Sequence, residues 1–182
     1  AKMIAEIFPK ELALVVQCDC AEMVPAMMSN FRFDHVFYTG SIPVGKSIYQ
    51  MAAKELVPVT LELGGKGPCV IEKDADLRVA ARRIVVGKFT NAGQMCVCPD
   101  YLLAHADIKD ALIDLIRGNI VKFYGDHPAD GYGYGKIVNE KHFDKLVSYL
   151  SQGNVVSGGE HDRKKLFIAP TILEGVALDA PV

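Results

Sequence analysis

An α/β fold with a largely parallel sheet is predicted by three features of this sequence. Short β-branched and aromatic runs alternate with stretches of helical periodicity along the 182 residues. The helical stretches carry apolar residues at i, i+3, i+4 and i+7, so each has one face to bury. Glycine turns punctuate the strand ends, most strongly at Gly64-Gly65 and Gly67-Pro68. Strands alternating with helices imply βαβ units.

Taken in order, residues 2–8 read as a helix, and Leu12 to Gln17 (LALVVQ) as a short buried strand. Residues 21–29 form a second helix ending near Asn30. Val36, Phe37 and Tyr38 make a strand that runs into Gly40 to Gly45, followed by a helix from about Lys46 to Glu55. Val57 to Leu63 is the next strand, with Pro58 near its start, where proline is tolerated. A domain boundary is placed at Gly64-Gly65. Beyond it Cys69 to Ile71 is a strand, and Leu77, Ala80, Ala81, Ile84 and Val85 mark one helix face. Tyr101 to Ala104 is a strand. Ile108, Leu112, Leu115, Ile116, Ile120 and Phe123 mark a second helix, and Phe143, Leu146, Val147 and Leu150 a third. Gly125 to Gly135 is a loop, and Phe167 to Leu173 a late strand interrupted by Pro170. No internal repeat is present.

Composition excludes several classes. Half of the residues are hydrophobic and 23% charged, which is not a disordered composition. No apolar run approaches the roughly 18 residues of a membrane span. With 20 basic and 22 acidic residues the formal charge is −2, which gives no general electrostatic attraction to nucleic acid or an anionic membrane. Both ends, Met3-Ile4 with Ile7-Phe8 and Ala180-Pro181-Val182, are apolar and look like cuts through a structured region.

The five cysteines are Cys18, Cys20, Cys69, Cys96 and Cys98. An odd number in a chain this size argues against a disulfide framework and for a reducing, cytoplasmic setting. Both close pairs are spaced Cys-x-Cys, whereas zinc knuckles use Cys-x(2–4)-Cys, so no metal site is expected. Cys18, Cys20 and Cys69 are expected to be small buried hydrophobes.

Gly40-Ser-Ile-Pro-Val-Gly45-Lys46-Ser47 matches G-x-x-x-x-G-K-[S/T] between a strand and a helix. A P-loop nucleotide hydrolase is therefore a competing reading. Pro43 removes an N–H from the middle of such a cradle, and no apolar strand ends in an Asp to hold magnesium. A helix N-terminus suited to a phosphate or pyrophosphate survives both objections.

Two further residues carry chemistry. Asn91-Ala-Gly-Gln94-Met95-Cys96 lies in a loop between a helix and a strand, where nucleophiles are often presented. A free thiol of pKa about 8.5 costs about 2 kcal/mol to ionise at pH 7, yet it is intrinsically a strong nucleophile. Backbone N–H groups around such a loop would be available to stabilise an oxyanion after attack on a carbonyl. Glu62 interrupts an apolar strand directly before Gly64-Gly65. An unpaired carboxylate is costly to bury there, so it is expected to be paired, wet or functional, and desolvation would raise it toward the range of a general base.

Leu61-Glu62-Leu63-Gly64-Gly65-Lys66 followed by Asn91-x-Gly93-Gln94-x-Cys96 resembles the aldehyde dehydrogenase superfamily, in motif and in spacing. Gly40-Ser41-x-x-Val44-Gly45 resembles its cofactor turn, which accounts for the P-loop-like match. Phe33 to Thr39, Cys96 to Leu102, Phe123-Tyr-Gly125 and Ile168-Ala-Pro-Thr171 look most like the class 3, fatty- and aromatic-aldehyde branch. The resemblance runs essentially end to end. It implies that residues 1–64 are the end of a Rossmann-type nucleotide-binding domain and 65–182 the start of an α/β catalytic domain. Cys96 would attack the aldehyde, and its own N–H would be one oxyanion donor. Glu62 would activate the water that hydrolyses the thioester. Gly40, Ser41 and Gly45 would lie by the diphosphate of NAD or NADP, and Leu63 and Gly64 near its nicotinamide.

The partners implied are a small aldehyde and, for the full enzyme, a second copy in a homodimer, with no nucleic acid and no membrane segment in this chain. Departures from the family pattern are Gly67 where Ser is common, Met95 where Thr or Ser is usual, and Cys98 in place of Ala. Cys18-Asp-Cys20 falls where a glycine-rich turn is common. The family's oxyanion asparagine and its Glu-x-Phe-Gly-Pro segment fall outside these residues, so the segment alone is expected to lack a competent cofactor site. A truncated, non-catalytic relative serving as a binding module is the remaining alternative.

Overall fold

β-Branched and aromatic residues at 36–40 and 59–63 favour extended backbone, and they form the first ladder of the chain. The structure, a computed structural model, describes residues 1–182. It divides between Gly64 and Gly65 into two units, Ala1–Gly64 and Gly65–Val182.

In the first unit two helices, α1 (Lys2–Ile7) and α2 (Cys20–Asn30), precede a βαβ element. Asp19 caps α2 by accepting from the Ala21 N–H at 2.9 Å. Strand β1 (Val36–Gly40) leads into α3 (Ile42–Ala53), which returns to β2 (Val59–Leu63). The two strands pair in parallel, with Val36 opposite Val59 and Gly40 opposite Leu63. α3 buries Gly45, Ile48 and Ala52, one face at helical spacing, and Val57 is buried just after it. His35 Nε2 and Thr60 Oγ1 lie 2.9 Å apart.

Two expectations fail here. Leu12–Gln17 is not a strand, and Leu12 and Leu14 are 76% and 75% exposed. An apolar run becomes a strand only where another strand offers its ladder, and β1 and β2 pair with each other alone. α3 also starts at Ile42 rather than near Lys46, because Ser41 occupies the N-cap and Pro43 the first turn, where proline is preorganised.

In the second unit β3 (Pro68–Ile71) pairs in parallel with β4 (Tyr101–Ala104). Between them runs α4 (Leu77–Phe89), capped by Asp76, whose Oδ1 accepts from Arg78 N–H at 3.0 Å and Val79 N–H at 3.1 Å. α5 (Lys109–Tyr124) packs on α4, and the core joins Ile71, Ala81, Ile84, Val85 and Phe89 to Ile108, Leu112, Ile116 and Ile120. Burying each of the larger side chains among them is worth about 1.5–3 kcal/mol.

α6 (Glu140–Ser148) buries Phe143 and is capped by Asn139. The remaining strands are β5 (Asn154–Ser157), β6 (His161–Asp162), β7 (Phe167–Ile168) and β8 (Ile172–Glu174). They form two antiparallel pairs, β5 with β8 and β6 with β7. The single late strand expected over Phe167–Leu173 is thus two strands with different partners. Pro170 lies between them, has no N–H for a ladder, and is itself buried. The fold is α/β as predicted, but its C-terminal part is antiparallel.

Candidate active site

The glycine turn takes its shape from α3. β1 ends at Gly40 and the helix is already under way at Ile42, so Gly45, Lys46 and Ser47 are helical rather than looped. A P-loop needs those intervening residues as an open cradle of N–H groups. That cradle does not form here, and the hydrolase alternative loses its basis. What remains is a helix N-terminus. Ser41 makes no side-chain cap, leaving its hydroxyl free, and the Ile42 and Val44 N–H groups precede the first intrahelical bonds. The Gly45 N–H is taken by Ser41 O at 2.9 Å. Such a terminus favours a phosphate through its free donors and its dipole.

Gly45 serves a second purpose. A Cβ added there would come within 2.8 Å of Leu63 Cδ2, so glycine lets α3 lie directly on the end of β2. Gly40, Ser41, Gly45 and Leu63 are thereby brought together at the carboxyl ends of two parallel strands, the edge where open α/β sheets bind ligands. Glu62 sits opposite Thr39 in the ladder and is exposed, while its neighbours Leu61 and Leu63 are half-buried. Gly64 follows, also exposed.

Cys96 belongs to the second unit. α4 ends at Phe89, and Thr90–Gly93 form a 3-10 turn in which Asn91 and Ala92 have φ of +53° and Gly93 of +77°. Asn and Gly tolerate this left-handed region, whereas Ala92 is held there at a cost of about 1–2 kcal/mol. Gln94 then donates from Nε2 to Asn91 O at 2.9 Å and to Lys136 O at 3.0 Å. Its Oε1 accepts from the Val138 N–H at 2.9 Å. Cys96 lies exposed in a tight turn closed by the Cys98 N–H donating to Met95 O at 3.3 Å.

Cys98 is the opposite case. It is buried, and its thiol donates to Gly93 O at 3.2 Å. Lys88 Nζ lies 3.9 Å from Cys98 Sγ and 3.4 Å from Asp100 Oδ1, and Lys66 also pairs with Asp100. Lys88 and Asp100 are about three-quarters buried, so this pair is worth more than a surface one. Neither the Gln94 bonds nor this ion pair was anticipated from the sequence.

The cysteines differ from expectation in one respect. Cys18 and Cys20, at the start of α2, are exposed rather than buried; Cys69 is half-buried. No cluster of three or more His, Cys, Asp or Glu is placed to hold a metal ion. No helix is long and apolar enough to cross a membrane.

Comparison with known proteins matches all of residues 1–182 to the aldehyde dehydrogenase family. The chain is 41% identical over 180 residues to the dimeric NADP-preferring aldehyde dehydrogenase of Mus musculus, covering 99% of this chain and 39% of that enzyme. It is 48% identical over 152 residues to the 4,4'-diaponeurosporen-aldehyde dehydrogenase of Staphylococcus aureus, covering 82% and 33%. The substrate-bound structure of Staphylococcus aureus AldH superposes with a TM-score of 0.91 at 42% identity, covering 99% of this chain and 39% of that one. The chain therefore spans about two-fifths of the length of the relatives it matches. Relatives named as family 3 member A2 are among them, at 41–42% identity. The chain belongs to the aldehyde dehydrogenase family and groups with its class 3 branch.

Proposed function

We propose that this chain carries the nucleophile and the general base of an enzyme that oxidises an aldehyde to a carboxylic acid with NAD or NADP. The observation that carries this reading is Cys96 itself, an exposed thiol three residues beyond the left-handed Asn91–Gly93 turn, within a chain of this family. Because the chain spans about two-fifths of its relatives, the activity is proposed for the whole protein.

In this mechanism the Cys96 thiolate attacks the carbonyl carbon and forms a C–S bond, giving a thiohemiacetal oxyanion. Backbone N–H groups of the loop, that of Cys96 among them, donate to the oxyanion. A nicotinamide cofactor, when bound, would supply the hydride acceptor for the same carbon. Cys96 then holds the acyl group as a thioester. Glu62 takes a proton from a water, whose oxygen attacks the thioester carbon. The C–S bond breaks, the carboxylic acid leaves and Cys96 is again a thiolate. The exposure of Glu62 is compatible with reaching a water molecule.

The first unit fits the cofactor at its diphosphate. The Ile42 and Val44 N–H groups and the uncapped Ser41 hydroxyl supply donors, and Gly40 and Gly45 add no bulk beside them. Leu63 and Gly64 would lie toward the nicotinamide. In this reading residues 1–64 end the cofactor-binding domain and 65–182 begin the catalytic one. Relatives named as NADP-preferring and as NAD-dependent support either cofactor. The relatives named for diaponeurosporen and diapolycopene aldehydes support an extended apolar substrate, and the dimeric mouse relative supports a homodimer. The unpaired state of all five cysteines suits a reducing cytoplasm.

The test is formation of NADH or NADPH by the whole protein with medium-chain aliphatic, polyene and aromatic aldehydes. Cys96→Ser is expected to abolish turnover, and Glu62→Gln to leave a first-turnover burst of reduced cofactor with slow thioester hydrolysis. Full activity of Cys96→Ser, or unchanged hydrolysis in Glu62→Gln, would overturn the mechanism.

A further inference from the structure

Gln94 lies two residues from Cys96, and its amide uses every hydrogen-bonding position that faces the protein. Both N–H bonds are donated, one to Asn91 O within the left-handed turn and one to Lys136 O, and the oxygen accepts from Val138 N–H. The opposite amide orientation would set an oxygen against two carbonyls, so the donor pattern admits one placement only. Asn91 returns the contact, donating from Nδ2 to Gln94 O at 3.3 Å.

The segment that Gln94 grips is itself fixed. Between Lys136 and Val138, Ile137 is buried and its N–H donates to Leu166 O at 2.8 Å. Lys136 O and Val138 N–H are thus turned away from that contact and toward Gln94, as backbone alternation requires. Gln94 links a strained turn to an anchored segment 42–44 residues further along the chain.

We propose that Gln94 is the positioning residue of the Cys96 loop. Its three side-chain bonds hold the Asn91–Ala92–Gly93 turn in its left-handed conformation and so fix where the Cys96 thiol is presented. The proposal rests on the reading of Cys96 as the nucleophile. Without the amide, the turn relaxes toward ordinary backbone angles and Cys96 moves with it.

Peptide-resolved amide exchange and iodoacetamide alkylation of the full chain test this, with Gln94→Met and Gln94→Glu compared with wild type. Met keeps the side-chain length and removes all three bonds; Glu keeps only an acceptor for Val138. Both variants are expected to speed exchange across residues 91–98 about tenfold, with α4 and α5 within about twofold of wild type. The alkylation rate of Cys96 relative to the exposed Cys18 in the same chain is expected to fall about threefold. General loss of stability would instead speed exchange in α4 and α5 too and would not lower that ratio. Unchanged exchange at 91–98, or an unchanged ratio in both variants, overturns the proposal. If wild-type Cys96 is no more reactive than Cys18, the nucleophile reading fails, and the exchange result still decides whether Gln94 holds the turn.

Discussion

Leu63 lies on Gly45 so closely that a Cβ at position 45 would stand 2.8 Å from Leu63 Cδ2. The atom in the way is the far end of a flexible side chain, so Gly45→Ala is accommodated by a shift of Leu63. Helix propensity gains about 1 kcal/mol from Gly to Ala, and the displaced contact costs a similar amount. Gly45→Ala is therefore expected to leave stability within about 1 kcal/mol while weakening cofactor binding severalfold through Leu63. Gly45→Val, with branched bulk, is expected to cost about 2 kcal/mol. Urea unfolding and cofactor titration separate the two effects.

Cys96 and Cys98 are two residues apart and differ in exposure. Alkylation under native conditions, read by mass spectrometry, is expected to modify Cys96 at least about tenfold faster than Cys98, the difference vanishing in denaturant. Cys98→Ala removes a buried thiol and its bond to Gly93 O, and is expected to cost about 1–2 kcal/mol.

Tyr134 sits edge-on to both Tyr124 and Phe167. Burial pushes its phenol well above the ordinary tyrosine range, and Tyr124 is shifted the same way. Their neutral forms are favoured in the folded state, so stability is fully present below about pH 10 and is lost as pH rises toward the folded pKa values. Absorbance titration is expected to show these two of the seven tyrosines ionising last. Tyr134→Phe is expected to reduce the alkaline loss of stability.

Arg163 joins the β6–β7 hairpin to α6, holding Asp144 through Nε at 2.9 Å and Nη2 at 3.2 Å, and Glu140 at 2.7 Å. The guanidinium bond keeps the Asp144 carboxyl below its ordinary range. A lowered carboxyl stabilises the fold above its unfolded value of about 4 and ceases to do so as pH falls through the folded value. Arg163→Lys, which has no planar fork, is expected to lose this acid dependence, seen as faster amide exchange in α6 above pH 4.

Much of this was legible in the sequence wherever a local rule governed it. α4, α5 and α6 follow from apolar spacing alone, and β4 spans Tyr101–Ala104 as expected. The expected start of α3 near Lys46 follows the glycine run, whereas Ser41 at the N-cap and Pro43 in the first turn begin it at Ile42. Leu12–Gln17 misled because strand formation depends on a partner, which apolar composition does not report. β5 and β6 were missed because they are short and mixed in polarity, and their antiparallel pairing is decided by residues far along the chain.

At the site, residue types were readable and their supports were not. Glu62 and Cys96 stood out as a carboxylate in an apolar strand and a thiol in a loop. The bonds from Gln94 to residues 136 and 138 join segments that no spacing rule relates. The burial of Cys98, with Lys88 beside it, likewise depends on how the loop folds back over the end of α4.

β2 places Leu63 against Gly45 and leaves the adjacent Glu62 facing outward. Because a strand alternates its faces, these assignments are tied to odd and even counting from Pro58. Deleting one residue within Val59–Leu61 would exchange the carboxylate and the leucine, whereas deleting two would shorten the strand and keep each on its own side. Related sequences should therefore tolerate length changes before Glu62 in steps of two far better than in steps of one, so the strand acts as a parity lock on this carboxylate.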